Sequence, residues 1–527
     1  MKTNVFRASW SLAFLLVWPA AVQAQFNYTI NFDNTITITK CTGSGAVVIP
    51  SEINGLPVTR IGTHAFSIPL VTSVTIPNSV TYIENRAFKD CTALGNVTIP
   101  NSVTVIDAFA FENCPGLRNV MIPDSVVMLG SPVFYRSGLT NITIGNSVTS
   151  IGYNAFNRLT TLRSVTIPES VTNIGDNAFG YCTNLSSVTI PRNATSIGWQ
   201  AFRLCTSLTN LTIGDNSPSG NRVTRTEYNA FRDCSSLVSV TIGNNVTNIA
   251  HSAFRDCSRL TSVTIGNGVA SIGPKAFRDC TKLARLTIPD SVTSIGEDAF
   301  KGCTGLTNLT LGAGITSIGN NAFEGCSNLI SVTIPNSVTS IGGFAFDRCQ
   351  ALGSVALGNK ISIIREKAFQ HCDNLTSVTI PNSVTAIGTN AFSSCSHLTS
   401  AYFQGNAPSV KGGAGSADTT VFAGESGTAY YVPGTTGWGA TFGSWPTAGW
   451  YQPQPQILGW PFGRGVVSNR FNFTISWATN ASVVVLASTN LTIWNPISTN
   501  PLVNGVYVFS DPAYTNYPKR FYRVRSP

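Results

Sequence analysis

Thirteen cysteines and four histidines are the side chains of this 527-residue chain best equipped for chemistry. Thiols pair as disulfides, bind zinc or act as nucleophiles, and imidazoles ligate metals or move protons. Their spacing supports none of these. No Cys-x-x-Cys or Cys-x-x-His pair occurs. His64, His251, His371 and His397 lie far apart, and none has a Ser, Cys or carboxylate partner at a motif spacing. The acids scatter, often beside a base, as in Arg232-Asp233, Arg255-Asp256 and Arg278-Asp279, which reads as solvated charge ladders. No Gly-rich phosphate loop and no nucleophile elbow appears. No residue is expected to be catalytic, cofactor-binding or metal-ligating, no cofactor is implied, and no enzyme is expected.

The cysteines are instead positioned by a repeat. Twelve of them (Cys91, Cys114, Cys182, Cys205, Cys234, Cys257, Cys280, Cys303, Cys326, Cys349, Cys372 and Cys395) stand three residues after a recurring phenylalanine. That phenylalanine falls at fifteen positions from Phe66 to Phe392, at intervals of 22 or 23 residues except one of 29, from Phe202 to Phe231. Fifteen turns of a solenoid follow. In Leu329–Cys349, Val332 and Ile334 alternate with Ser331 and Thr333, the period of a strand with one buried face. Pro335 ends the strand. Val338 and Ile341 turn inward, Gly342 permits a bend, and Ala345–Phe346 plug the far side. One repeat has too thin an apolar stripe to fold alone, so identical positions must stack into ladders.

In such a stack equivalent residues lie about 4.8 Å apart, whereas a disulfide needs Cβ atoms about 3.8 Å apart. Pro69, Ser137 and Leu159 occupy the cysteine slot in the other turns, and a slot that accepts Leu is read as apolar. The thiols are therefore expected to be buried, reduced and inert. The other face of the strands presents hydroxyls: Ser73, Thr75, Ser164, Thr166, Ser262, Thr264, Ser331, Thr333, Ser377 and Thr379. This flat, nearly neutral row is the candidate binding face.

The phrase Leu-Thr-Ser-Val-Thr-Ile-Pro-Asn-Ser-Val-Thr-Ser-Ile-Gly, with its Ala-Phe and Cys, closely resembles the bacterial BspA-like leucine-rich-repeat family over roughly residues 25–450. The start Ile49-Pro50-Ser51-Glu52-Ile53-Asn54-Gly55-Leu56-Pro57-Val58 is similar to that family's usual entry. The resemblance implies a leucine-rich-repeat solenoid with a parallel β-sheet and short helical or irregular turns. It also implies adhesion to, or interaction with, proteins or extracellular matrix.

Segments outside the repeat complete the organisation. Residues 1–24 read as a signal peptide: Lys2 and Arg7 precede an apolar run, and small residues end at Ala24, where cleavage is expected. Residues 25–60 form an N-terminal cap, 61–400 the solenoid, and 401–450 a turn-rich C-terminal cap whose tryptophans seal the end rather than bind sugar. An insert near Asp215–Gly220 bulges as a surface loop. Residues 451–463 are a linker, and 464–527 alternate as a small β-sandwich-like module. The formal net charge is +9. Residues 451–527 carry six bases and one acid, Asp511, so the basic character is local to the tail and excludes a nucleic-acid-binding surface. Lys519, Arg520, Arg523 and Arg525 cluster at its end as candidate contacts to an anionic envelope.

The functional expectation is a secreted or cell-surface protein that recognises an extracellular protein or glycan through the solenoid. The alternatives are a structural spacer that displays or anchors the terminal module and, least favoured, an enzyme. No membrane span and no nucleic-acid partner are expected.

Overall fold

The computed structural model describes residues 25–214, 225–410, 419–450, 456–457, 465–467, 470–477, 481–503, 506–517 and 519–526. The signal-peptide expectation and the insert at 215–220 lie outside the described residues. The chain divides into two units, Met1–Leu283 and Ala284–Pro527.

In the first unit an antiparallel pair, Phe26–Ile30 with Ile36–Cys41, precedes the coils. Each coil then follows one pattern. Strand Ser164–Thr166 buries Val165 and exposes Ser164 and Thr166. It pairs in parallel and in register with Asn141–Thr143 on one side and Ser187–Val188 on the other. Pro168 ends it, because proline has no N–H to give a ladder. The chain bends at Val171, and a second short strand, Asn173–Ile174, pairs in parallel with Ser150–Ile151 and Ser196–Ile197. One broad sheet was the expectation. The coil carries two parallel ladders instead, since the Ser-Ile dipeptide after the proline corner pairs as well as the Ser-Val-Thr segment.

The plug forms a third, non-helical side. Phe156 N–H donates to Ala178 O at 2.8 Å, and Phe179 N–H to Ala201 O at 2.7 Å. The rings stack at 5.1 Å in both the Phe156–Phe179 and Phe179–Phe202 pairs. Two residues around most of these phenylalanines adopt left-handed backbone, such as Asn154 (φ 55°) and Arg158 (φ 62°), or Asn177 (φ 54°) and Tyr181 (φ 63°). Left-handed residues cannot propagate an α-helix, so the turns are irregular and the helical option falls away.

The second unit repeats the design from Phe300 to Phe392 and extends it. Phe422 stacks on Phe392 at 5.9 Å, so Val421–Phe422 makes a plug beyond the fifteen read from the repeat. Strands Ser377–Ile380, Ser400–Phe403, Thr428–Tyr431 and Trp445–Gly449 run parallel in that order, and Thr441–Phe442 pairs antiparallel on the last of them. Gly342 does not bend the chain through a left-handed conformation. A Cβ there would lie 2.5 Å from the Gly319 carbonyl carbon, so close approach of successive turns is what favours glycine.

Beyond the coils, Gln456–Ile457, Gly465–Val467, Arg470–Ser476 and Val506–Asp511 form one antiparallel sheet. Asn495–Pro501, Ser482–Ser488 and Phe521–Arg525 form another. Phe473, Ile475, Val483, Val485, Leu502 and Phe509 make the core of this small β module. It also carries a 3-10 turn, Tyr514–Asn516.

Candidate functional site

The outward strand positions form rows because register is kept from turn to turn. In the first unit one row runs Ser73, Asn96, Asn119, Asn141, Ser164 and Ser187. The parallel row two residues on includes Thr75, Thr98, Met121, Thr143 and Thr166. Ser239 and Ser262, and Thr241 and Thr264, pair in the same way. In the second unit Ser331 aligns with Asn308 and Ser354, and Thr333 with Ala356. Ser377 aligns with Ser400, and Thr379 with Tyr402.

The ten candidate residues all lie on this outward face; nine are exposed, and Ser73 is half-buried. Ser164 Oγ donates to Asn141 Oδ1 at 3.2 Å. Similarly, Ser239 Oγ donates to Asn210 Oδ1 at 2.6 Å. The hydroxyls of Thr75, Thr166, Thr264, Thr333 and Thr379 have no side-chain hydrogen bond among the described residues. They remain free to donate to or accept from a ligand. Several residues interrupt the neutrality and polarity of the face, Ala356 opposite Thr333 among them. Arg285 takes a serine's place opposite Asn308, and Met121, 67% exposed, stands opposite Thr143.

Charge gathers at the plugs instead. Arg203 and Asp233 lie 3.3 Å apart, Arg232 lies 3.5 Å from both Asp233 and Asp256, and Arg255 lies 3.1 Å from Asp256. Lys89–Glu112 and Lys301–Glu324 pair at 3.0 and 2.7 Å. Burial raises the Asp256 carboxyl above its ordinary value, and the adjacent Arg255 and Arg232 only partly oppose this. His251 packs beside Tyr228, and burial together with Lys275 lowers its pKa. His64 Nδ1 is 3.2 Å from Ser67 Oγ, and His397 Nδ1 is 2.7 Å from Asp373 O. His397 Nδ1 also lies 3.3 Å from the neighbouring Ser396 Oγ. Among the described residues no cluster of three or more His, Cys, Asp or Glu side chains is placed to hold a metal.

All thirteen cysteines are buried and unpaired by disulfides. Their slot is not simply apolar. Cys182 Sγ donates to Phe156 O at 3.1 Å, Cys257 to Phe231 O at 3.4 Å, and Cys349 to Phe323 O at 3.4 Å. Ser137 Oγ donates likewise to Phe111 O. The slot holds a small donor against the carbonyl of the preceding plug, and Pro69 and Leu159 are side chains in it that cannot donate. Burial pushes the thiols of Cys182 and Cys234 up to about 12, which keeps them protonated and poorly nucleophilic.

In the terminal module Lys519, Arg523 and Arg525 are exposed, whereas Arg520 is not free. Its Nε lies 3.1 Å from Asp511 Oδ2, with side chains 11% and 4% exposed. Tyr522 OH donates to the same Asp511 oxygen at 2.6 Å, and burial followed by Asp511 raises the phenol pKa. Strand Phe521–Arg525 places Arg523 and Arg525 outward and packs Tyr522 and Val524 against the core. The Arg523 guanidinium lies 4.6 Å over the Trp494 ring.

A second set of surface residues stands outside the repeat's wording. Tyr402 and Tyr430 fall on the outward threonine row. Their rings stack at 5.1 Å, and Trp450 meets Tyr402 at 4.9 Å. Aligning Ser400–Phe403 with Ser377–Ile380 would have revealed that placement.

The BspA-type leucine-rich-repeat model matches residues 59–185, 127–223, 172–307, 219–330 and 316–414. The chain belongs to the BspA-type leucine-rich-repeat family. Among solved structures, a leucine-rich-repeat protein from Bacteroides ovatus is 25% identical, covering 73% of this chain and 88% of its own, with a TM-score of 0.46. A leucine-rich cell surface protein from Faecalibacterium prausnitzii is 30% identical, covering 72% of this chain and 94% of its own, with a TM-score of 0.37. The pneumococcal vaccine antigen PcpA is 18% identical over 72% of this chain and 91% of its own, at a TM-score of 0.39. With TM-scores under 0.5, it is the family model that carries the membership. No curated protein matches the chain. No helix among the described residues of this BspA-type chain is long and apolar enough to cross a membrane.

Proposed function

We propose that this BspA-type chain is exported, with cleavage near Ala24, and acts at or outside the cell surface as a binding protein. The outward strand face recognises an extracellular protein or glycan. The observation that carries this reading is the separation of roles around the coil. Ion pairs and left-handed turns occupy the plug side, while the strand side presents exposed hydroxyls held in register, those of Thr75, Thr166, Thr264, Thr333 and Thr379 without a side-chain hydrogen bond among the described residues. A fixed array of free donors and acceptors loses little conformational freedom on binding, which is the advantage of preorganisation. The family's repeat fold offers a scaffold for such an array. A printed array of glycans and extracellular-matrix proteins, probed with the full chain and with Thr264→Lys/Thr333→Lys, tests the reading. Hits that vanish in the lysine variant support it. Hits that the variant keeps unchanged move the site elsewhere.

A second reading has its own support. Lys519, Arg523 and Arg525 are exposed on a module whose single acid, Asp511, is already paired with Arg520. This leaves uncompensated positive charge for attachment to an anionic envelope. Removing residues 464–527 should then release the protein from cells; retention equal to that of the full chain would defeat the attachment role.

A further inference from the structure

The aromatic residues after Cys395 form two sets on opposite sides of the same strands. The inward set closes the core. Trp445, 1% exposed, stacks on Phe422 at 4.1 Å, and Trp438 meets Phe403 at 4.9 Å and Tyr431 at 5.2 Å. This set accounts for sealing the last plug, including the hydrogen bond from Trp445 Nε1 to Glu425 O at 3.1 Å. The outward set has no core to seal. Tyr402 and Tyr430 occupy strand positions where earlier turns carry threonine, and both remain half-exposed, as does Trp450. Neither tyrosine hydroxyl has a hydrogen-bond partner among the described residues.

Their neighbours define what they would recognise. The outward positions across these strands are Ser377 and Thr379, Ser400 and Tyr402, and Thr428 and Tyr430, none of them charged. At these outward positions an anionic ligand would find no cation, and a cationic one no carboxylate. Aromatic rings carry a negative face and a positive edge. They attract the weakly positive C–H bonds of a sugar ring, while serine, threonine and phenol hydroxyls exchange hydrogen bonds with its OH groups. The hydroxyls of Ser377, Thr379, Ser400 and Thr428 lie beside the aromatic group on three successive strands, which suits a repeating chain better than a single terminal sugar.

We infer that Tyr402, Tyr430 and Trp450, together with Thr379 and Ser377, form a subsite for a neutral polysaccharide at the C-terminal end of the strand face. The inference rests on the reading that the strand face binds, and it names the ligand chemistry at one place on that face. Tyrosines and tryptophans of this kind commonly dominate binding energy where they contact a ligand.

Affinity gel electrophoresis of the full chain tests it, with soluble β-glucan, mannan and xylan as neutral probes and hyaluronan and heparin as anionic ones. At least one neutral polymer should retard the wild type, and neither anionic polymer should do so through this site. Tyr402→Ala/Tyr430→Ala should weaken that retardation by about tenfold or more. Tyr402→Phe/Tyr430→Phe keeps the rings and should retain most of it. Thermal melting of each variant separates loss of the subsite from loss of fold, and the Phe pair keeps the question answerable if the Ala pair unfolds. Retardation lost on Thr333→Lys but unaffected by the Ala pair would overturn the aromatic subsite and leave the strand-face reading standing. Retardation by anionic polymers alone, or by no neutral polymer, would overturn the inference. Protein hits on the array would then still support the broader reading.

Discussion

The strand side and the plug side of each coil are built from one repeat but tolerate different things. On the plug side every position is committed. Phenylalanine rings stack at 4.9–5.8 Å from Phe66 through Phe277, thiols donate to the preceding plug's carbonyl, and flanking residues hold left-handed backbone. On the strand side only the inward Val and Ile are committed, and the outward residue varies among Ser, Thr, Asn, Arg, Met, Ala and Tyr with no change of register. Stability is concentrated on one side, which leaves the other free to carry recognition.

The largest expected effect comes from breaking the plug ladder. Phe254 is fully buried between Phe231 and Phe277 at 5.4 and 5.2 Å, and Phe254→Ala should cost about 3–5 kcal/mol. Urea denaturation followed by circular dichroism measures it; a loss under about 1 kcal/mol would show that the plugs do not hold the coils.

Next is the thiol slot. A thiol raised from 9.0 to about 12 in the fold, as at Cys182 and Cys234, stays protonated while its unfolded counterpart ionises. The unfolded state then binds fewer protons, so the stabilisation is complete below pH 9 and is lost as pH rises from 9 towards 12. Each such thiol should cost about 1.4 kcal/mol at pH 10 relative to pH 8. Cys182→Ser/Cys234→Ser keeps a donor, as Ser137 does, and should flatten the decline. Melting curves across that range would contradict the assignment if the wild type and the serine pair fell in parallel.

Smaller still is the charge ladder. Arg255→Ala removes a half-exposed partner of Asp256 and should cost about 0.2–1 kcal/mol, less in high salt. Smallest of all, Thr264→Ala should change stability by no more than about 0.5 kcal/mol. A larger loss would mean that the outward face is structural after all.

The coil was legible in the sequence because its cause is periodic. Phe, Cys and the Val-x-Ile alternation recur at fixed spacing, and a thin stripe repeated this often has only stacking to bury it. The second strand ladder was missed because Ser-Ile spans two residues, too few for alternation to register. The thiol–carbonyl bond was missed because Leu159 made the slot look purely apolar, although Ser137 in the same slot hinted at a donor. Left-handed turns were hidden because Asn, Arg, Asp and Lys share those positions with few glycines. For the candidate site, the hydroxyl face follows from period-2 reasoning alone. Arg520 shows the opposite case: its pairing with Asp511 joins strands that sequence spacing does not bring together. The outward tyrosines escaped notice because the repeat's wording had dissolved by Tyr402, while its strand register had not.

The most direct test compares affinity for the strongest array ligand between wild type and Thr264→Lys/Thr333→Lys, at about 0.15 M and about 0.5 M salt. Screening acts on charges within a few ångströms at the higher salt, so a neutral strand face should bind almost equally at both. The account predicts wild-type affinity changed by less than about threefold and a loss of about tenfold or more in the lysine variant. Affinity that collapses in salt while the lysine variant binds as well as wild type would contradict it and place recognition on the charged plugs or the basic tail.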